Sequence, residues 1–190
     1  PLVDLYVFRD GEIPFSRLVG VLLDGADITA AQKAKLPSCH ALVAGEPFLG
    51  ELDPRLTDLE EIPSPYVMGL MDKFFEQKLI PAVRTNRGCP FTCTFCAEGH
   101  EYYTRIHKTT FERKKEEIDY IVARVKHTKT LRITDSNFGM YQEDVEFCRY
   151  LSEIQARTGY PEYLNAATGK NRKDLVLECN RLLRGAMRFT

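Results

Sequence analysis

Leu79-Ile-Pro-Ala-Val-Arg-Thr-Asn-Arg-Gly-Cys-Pro-Phe-Thr-Cys-Thr-Phe-Cys96 is the stretch on which the reading of this chain turns. Its apolar opening predicts a strand over 79–83. Gly88 then lets the chain turn sharply, and Pro90 stiffens the position after the first cysteine. Cys89, Cys93 and Cys96 follow one another at Cys-x3-Cys-x2-Cys spacing. That spacing offers three thiolates to one small metal centre and leaves a fourth coordination position without a nearby cysteine. Three ligands and one open site suit an iron–sulfur cluster that binds and activates a molecule better than one that only stores an electron. Phe91 and Phe95 add apolar surface, which limits water around such a centre and tunes its potential.

Beyond the loop the pattern becomes regular. Thr110 is expected to cap a helix running to about residue 126, with Phe111, Ile118, Val122 and Val125 on one face. A β-branched strand is expected at 131–134. A second helix is expected over 142–157, with Val145, Cys148, Leu151 and Ile154 along one stripe and Gly159 just past its end. A third strand (163–168), a third helix (173–184) and a fourth strand from Met187 complete the series. Strands alternating with helices imply an α/β fold of parallel strands joined by right-handed crossovers, either doubly wound or part of a barrel. In both, functional groups gather at the carboxyl ends of strands. Here those ends carry the cysteine loop, Asp135-Ser-Asn137-Phe138 and Gly169-Lys170-Asn171.

The first 77 residues are less regular. A short strand at 5–8, a turn at Arg9-Asp10-Gly11-Glu12 and a short helix at 15–23 are expected. Residues 53–65 carry three prolines and many acids and read as a linker ending in an extended Ile62-Pro-Ser-Pro-Tyr66. A helical pattern resumes over 68–77. The chain has 190 residues, 26 Lys plus Arg against 27 Asp plus Glu, and a net charge of −1, so no global field draws nucleic acid or anionic lipid. Its longest apolar run, 18–23, is too short to span a bilayer. Six cysteines in this length do not make a disulfide scaffold. Cys39, Cys148 and Cys179 read as buried small hydrophobes, and a reducing, cytoplasmic setting suits the set. Pro1 at the start and a strand-like Phe189-Thr190 at the end suggest cuts through a longer protein.

Arg87-Gly-Cys-Pro-Phe-Thr-Cys-Thr-Phe-Cys96, placed after one strand of a β/α unit, resembles the signature of the radical S-adenosylmethionine (radical SAM) superfamily. The resemblance implies a 4Fe–4S cluster on Cys89, Cys93 and Cys96, with S-adenosylmethionine chelating the fourth iron and being cleaved reductively to a 5′-deoxyadenosyl radical. It implies a partial (β/α) TIM-like barrel, of which this chain would hold about three and a half βα units. Other segments resemble the cobalamin-binding branch of that superfamily. Leu59-Glu-Glu-Ile-Pro-Ser-Pro-Tyr66 is similar to the connector between a cobalamin-binding domain and the barrel. Asp4-Leu-Tyr-Val-Phe-Arg-Asp-Gly-Glu12 is similar to the last strand and turn of that domain, with Arg9-Asp10 in place of the usual Gly-Glu. Tyr103-Thr-Arg105 and Glu116-Glu117-Ile118 are like the approach to the first barrel helix, and Ile133-Thr-Asp135-Ser-Asn137-Phe138 is like the end of its second strand. The cobalamin domain itself is missing. None of His40, His100, His107 and His127 sits in an Asp-x-His-x-x-Gly cobalt-ligand motif, so cobalamin rests on the connector and turn.

The domains implied are 1–52 as the end of a preceding cobalamin-binding-like α/β domain, 53–77 as linker and connecting helix, and 78–190 as the N-terminal part of the barrel. The resemblance places Phe95 against the adenine. Asp135 and Asn137 are expected to bind the amino group or ribose of S-adenosylmethionine, and Arg105 and Lys170 its carboxylate. Glu98 and His100 are candidates for the pocket wall. The activity implied is that of a radical SAM enzyme, such as a cobalamin-dependent methyltransferase, served by an electron donor such as flavodoxin or ferredoxin and acting on an unidentified substrate. Two alternatives stay open: a zinc-binding module using the three cysteines and His100, and an electron-transfer unit, for which a fourth cysteine is lacking.

Overall fold

A computed structural model describes residues 3–189. Its contacts divide the chain into two units, residues 1–57 and 58–190. In the first, β1 (Tyr6–Val7) is followed by α1 (Glu12–Leu23), α2 (Ile28–Lys33), β2 (Cys39–Val43) and β3 (Glu46–Leu49). The three strands form an antiparallel sheet in the order β1-β2-β3. Helix α1 begins three residues before the expected 15–23. Pro14 is accommodated because it falls in the first turn, where backbone N–H groups have no intrahelical acceptor. Asp27 caps α2 by accepting from the Ala30 N–H at 2.8 Å. The β2–β3 hairpin is absent from the sequence reading. Its two-residue turn places Ala44 (φ 52°) and Gly45 (φ 88°) in the left-handed region, the geometry that matches strand twist. Leu18, Ala31 and Cys39 form the small core of this unit.

The second unit is built on a parallel sheet. Helix α3 (Asp72–Phe75) precedes β4 (Ala82–Val83), β5 (Asn86–Arg87) and β6 (His107–Lys108). Then α4 (Phe111–Val122), β7 (Thr130–Phe138), α5 (Gln142–Thr158), β8 (Tyr163–Thr168), α6 (Lys173–Leu182) and β9 (Met187–Phe189) alternate. Thr190, expected to continue β9, and Pro1 lie outside the described residues. The sheet order β4-β7-β8-β9 is the chain order, and every pairing is parallel. Ile118, Ile121, Val145, Cys148, Leu151, Leu175 and Cys179 from the three long helices share one core with Leu131, Ile133, Leu164 and Ala166 from the strands. The helices therefore cover one face only. Arg132 and Thr134 on the other face are exposed, which is not the pattern of a doubly wound sheet.

Element limits follow local chemistry. Thr110 caps α4 as expected, its Oγ1 accepting from the Arg113 N–H at 3.2 Å. Gly159 ends α5 with φ 76° and an N–H bond to Gln155 O of 2.9 Å. The helix expected over 68–77 shrinks to α3, because Gly69 at φ 74° breaks the helical path. The strand expected at 79–83 starts only at Ala82. Tyr66 closes its edge: the phenol donates to Ala82 O at 2.9 Å and accepts from Ala82 N at 3.0 Å, standing in for a neighbouring strand. Strand β7 is the largest departure. It runs on to Phe138, with a shift in register between Ile133 and Phe138, so Asp135, Ser136 and Asn137 lie within the strand and not beyond it. Among the described residues, no helix is long and apolar enough to cross a membrane.

Candidate functional site

The cysteine loop leaves β5 and returns at β6, which pair antiparallel with Arg87 opposite His107. Gly88 makes the turn at φ 122°, a conformation L side chains avoid. The Cys89 N–H then bonds Tyr103 O at 2.9 Å, tying the start of the loop to its end. Inside, Cys96 N–H reaches Cys93 O at 3.1 Å and Gly99 N–H reaches Cys96 O at 3.0 Å. Gly99 lies so close to Cys93 that a Cβ would fall 2.2 Å from its carbonyl oxygen, so only glycine fits. Cys89 is buried, Cys93 half-buried and Cys96 exposed, and none forms a disulfide. Among the described residues, no three His, Cys, Asp or Glu side chains are gathered closely enough to hold a metal ion.

Three consecutive residues of β7 fasten this loop, each by a different contact. Asp135 accepts from the Thr85 N–H at 2.8 Å, the Asn86 N–H at 3.3 Å, the Asn86 Nδ2 at 2.8 Å and the Thr85 hydroxyl. It thereby fixes the two residues that lead into the loop. Ser136 donates to Glu98, which also lies 3.9 Å from the Arg84 guanidinium, and so holds the loop just beyond Cys96. Asn137 donates its Nδ2 to Cys89 Sγ at 3.1 Å, with both residues buried. Its Oδ1 is buried and meets no partner among the described residues.

Asp135 is buried, and burial pushes its carboxyl up to about 6 against the opposing hydrogen bonds from Thr85 and Asn86. Lys114 on α4 is also buried. Desolvation lowers its ammonium from the usual range, and the charges of Asp144 and Asp135 oppose that shift. Asp144 accepts from the Gly139 N–H at 3.0 Å and the Tyr141 N–H at 3.1 Å, shaping the turn from β7 into α5. Along β7 and β8, Arg132, Ile133, Thr134, Asp135, Ser136, Asn165, Ala166 and Ala167 line a pocket.

The remaining candidates stand further out. Phe95 is 88% exposed. Arg105 and Lys170 are both exposed, in the loop before β6 and after β8 respectively. Gly169 next to Lys170 donates to Phe138 O at 2.9 Å, so the ends of β7 and β8 lie together as the strand-end rule expects. His100, the fourth zinc ligand of the alternative reading, accepts the Tyr102 N–H at its Nδ1 at 3.2 Å and caps a short 3-10 turn. Thr85, Asn86, Lys114 and Asp144 were not singled out from sequence. Only the Asp144 position, three residues into a helix, carries a recognisable capping signal.

No family model matches the chain. The chain is 31% identical over 188 residues to the 2-(S-pantetheinyl)-carbapenam-3-carboxylate methyltransferase of Streptantibioticus cattleyicolor, a match covering 95% of this chain and 27% of that protein. It is 30% identical over 188 residues, with the same coverages, to the cobalamin-dependent radical SAM methyltransferase TokK of Streptomyces tokunonensis. The chain thus spans about a quarter of the length of the curated relatives it matches. In structure it resembles the radical S-adenosylmethionine methyltransferase TsrM from Kitasatospora setae, solved with cobalamin and a 4Fe–4S cluster bound. The TM-score is 0.60 over 97% of this chain and 36% of that one, at 15% identity, a likeness of fold. Along nearly its whole length this chain is thus similar in sequence to part of two methyltransferases, one of them the cobalamin-dependent radical SAM methyltransferase TokK, and its α/β fold is like that of TsrM.

Proposed function

We propose that this chain is the cluster-binding part of a cobalamin-dependent radical SAM methyltransferase, with Cys89, Cys93 and Cys96 as the cluster ligands. The observation that carries the reading is the cysteine loop itself, set after the first strand of a sequential parallel sheet and fastened by Asp135, Ser136 and Asn137. The donor set fits a cluster: three unbridged thiols share one short loop, and beside the first of them is a buried amide oxygen with no partner. When bound, a 4Fe–4S cluster with S-adenosylmethionine supplies reductive cleavage to a 5′-deoxyadenosyl radical, and cobalamin supplies methyl transfer.

The chain's own residues hold and shield. Cys89 is the fixed ligand, and binding would draw the more exposed Cys93 and Cys96 towards it. Asn137 Oδ1 would accept an amino-group hydrogen from S-adenosylmethionine, satisfying an oxygen that is otherwise orphaned. Asp135 is buried with its oxygens already engaged, which supports a part in positioning Thr85 and Asn86 more than contact with the cofactor. Arg105 and Lys170 are candidates for the carboxylate, and Phe95 for the adenine, each requiring movement from an exposed position.

The one-sided helix layer and sequential strand order support a partial barrel, whose inner wall would be the open face bearing Arg132, Thr134 and Asn165. A low-potential donor such as flavodoxin or ferredoxin would supply the electron, and a cytoplasmic setting would protect an oxygen-labile cluster. No observation favours zinc. The test is product analysis after anaerobic reconstitution of the full-length protein, reduction and addition of S-adenosylmethionine with cobalamin. Release of 5′-deoxyadenosine or S-adenosylhomocysteine is expected, and a protein that cleaves nothing and carries one zinc would overturn the reading.

A further inference from the structure

We infer that Asn137 sets the reduction potential of the cluster through a hydrogen bond to the sulfur of Cys89, an inference that rests on the cluster reading above. The Asn137 Nδ2 lies 3.1 Å from Cys89 Sγ, and the two residues are 3% and 8% exposed. Oδ1 has no partner among the described residues, so the sulfur is what orients this amide. Turning the amide over would point Oδ1 at the sulfur. A neutral thiol tolerates that by donating its proton, but a metal-bound thiolate has no proton to give. With the cysteine as a ligand, only the N–H orientation is attractive.

The consequence is electrostatic. Adding an electron to an iron–sulfur cluster increases negative charge on its thiolates, so a hydrogen bond to one of them stabilises the reduced form more than the oxidised form. Burial strengthens the effect, because little water competes at that sulfur. Asn137 also cannot drift away. It is the penultimate residue of β7, and its neighbour Phe138 pairs with Thr168 in β8. Among the described residues, Cys89 alone of the three cysteines is buried and receives a side-chain donor from the sheet. The structure thus gives one of three otherwise similar ligands a fixed donor, and an asymmetric cluster environment follows.

The test is an EPR-monitored redox titration of the anaerobically reconstituted full-length protein without S-adenosylmethionine, comparing wild type with Asn137→Leu, Asn137→Asp and Ser136→Ala. At a fixed applied potential the reduced-to-oxidised ratio should fall about threefold to tenfold in Asn137→Leu, tenfold being 59 mV for a one-electron couple. Asn137→Asp keeps the shape but offers no donor, so its ratio should fall at least as far, and it serves as the readout if the leucine variant does not hold a cluster. Ser136→Ala loosens the same loop at Glu98 without touching the sulfur, and should shift the ratio far less than either Asn137 variant. A midpoint in both Asn137 variants equal to wild type would overturn the inference while leaving the cluster reading intact. A shift of equal size in Ser136→Ala would also overturn it, by showing general loosening. Failure of the wild type itself to bind iron would overturn the reading beneath it.

Discussion

At the scale of residues, the Asp135-Ser136-Asn137 segment shows how one sequence signal can carry several tasks. The residue types announced a polar strand end, and the resemblance assigned two of them to cofactor binding. Which donors they meet was not legible, because Thr85, Asn86 and Glu98 come from 38 to 50 positions away in the sequence. Asp135 has a testable signature. Its carboxyl is raised to about 6 in the fold, so the folded state holds the proton more tightly than the unfolded chain. Its stabilising contribution is therefore fully present below the ordinary value of 3.8 and is lost as pH rises through about 6. Asp135→Asn is neutral throughout. Urea denaturation should show wild-type stability falling relative to the variant as pH rises from about 4 to about 6, and a constant difference above that. A difference that does not vary with pH would contradict the assignment. Gly99 gives a second residue-scale prediction. With a Cβ placed 2.2 Å from Cys93 O, Gly99→Ala must displace the loop around Cys93. It should lose most of the iron bound on reconstitution, while thermal unfolding of the sheet and helices changes by less than about 1 kcal/mol.

At the scale of elements, periodicity located the regular pieces and chemistry between chain segments set their ends. Strand β8 matches its expected limits, and α4 and α5 begin where expected, since Thr110 and the apolar stripes are local signals. Gly69 and the extra length of β7 were not readable, the first because a single glycine often passes within a helix, the second because polar Asp135, Ser136 and Asn137 look like a turn. The β2–β3 hairpin was missed because its turn is Ala44-Gly45, not one of the dipeptides that mark such turns. Tyr66 is the clearest case of an element completed by a distant side chain. Its hydroxyl serves both backbone groups of Ala82, and burial raises its pKa above the usual value. Tyr66→Phe leaves those two groups unpaired at the edge of β4 and should cost about 1–3 kcal/mol, read from the denaturation midpoint. A cost near zero would show that water replaces the phenol there.

For the molecule as a whole, the alternation of strands and helices was enough to give an α/β fold, but not the sheet order. Helices with one apolar stripe look alike whether they cover one face or two. The order β4-β7-β8-β9 and the shared core of α4, α5 and α6 decide that point, and leave a polar face open beside the strand ends that hold the cysteine loop. The other cysteines fit the plain reading: Cys39, Cys148 and Cys179 are buried in hydrophobic cores. Cys148 and Cys179 also lie together, so that contact and burial raise the Cys148 thiol well above its usual range and keep it unreactive.

Cluster binding by Cys89, Cys93 and Cys96 is tested by iron and sulfide analysis, with Mössbauer spectroscopy, of the anaerobically reconstituted full-length protein beside its Cys89→Ala, Cys93→Ala, Cys96→Ala and His100→Ala variants. About four iron and four sulfide per chain with a 4Fe–4S spectrum are expected, lost in each cysteine variant and retained in His100→Ala. Iron binding that survives all three cysteine substitutions, or a single zinc that is lost with His100, would contradict it.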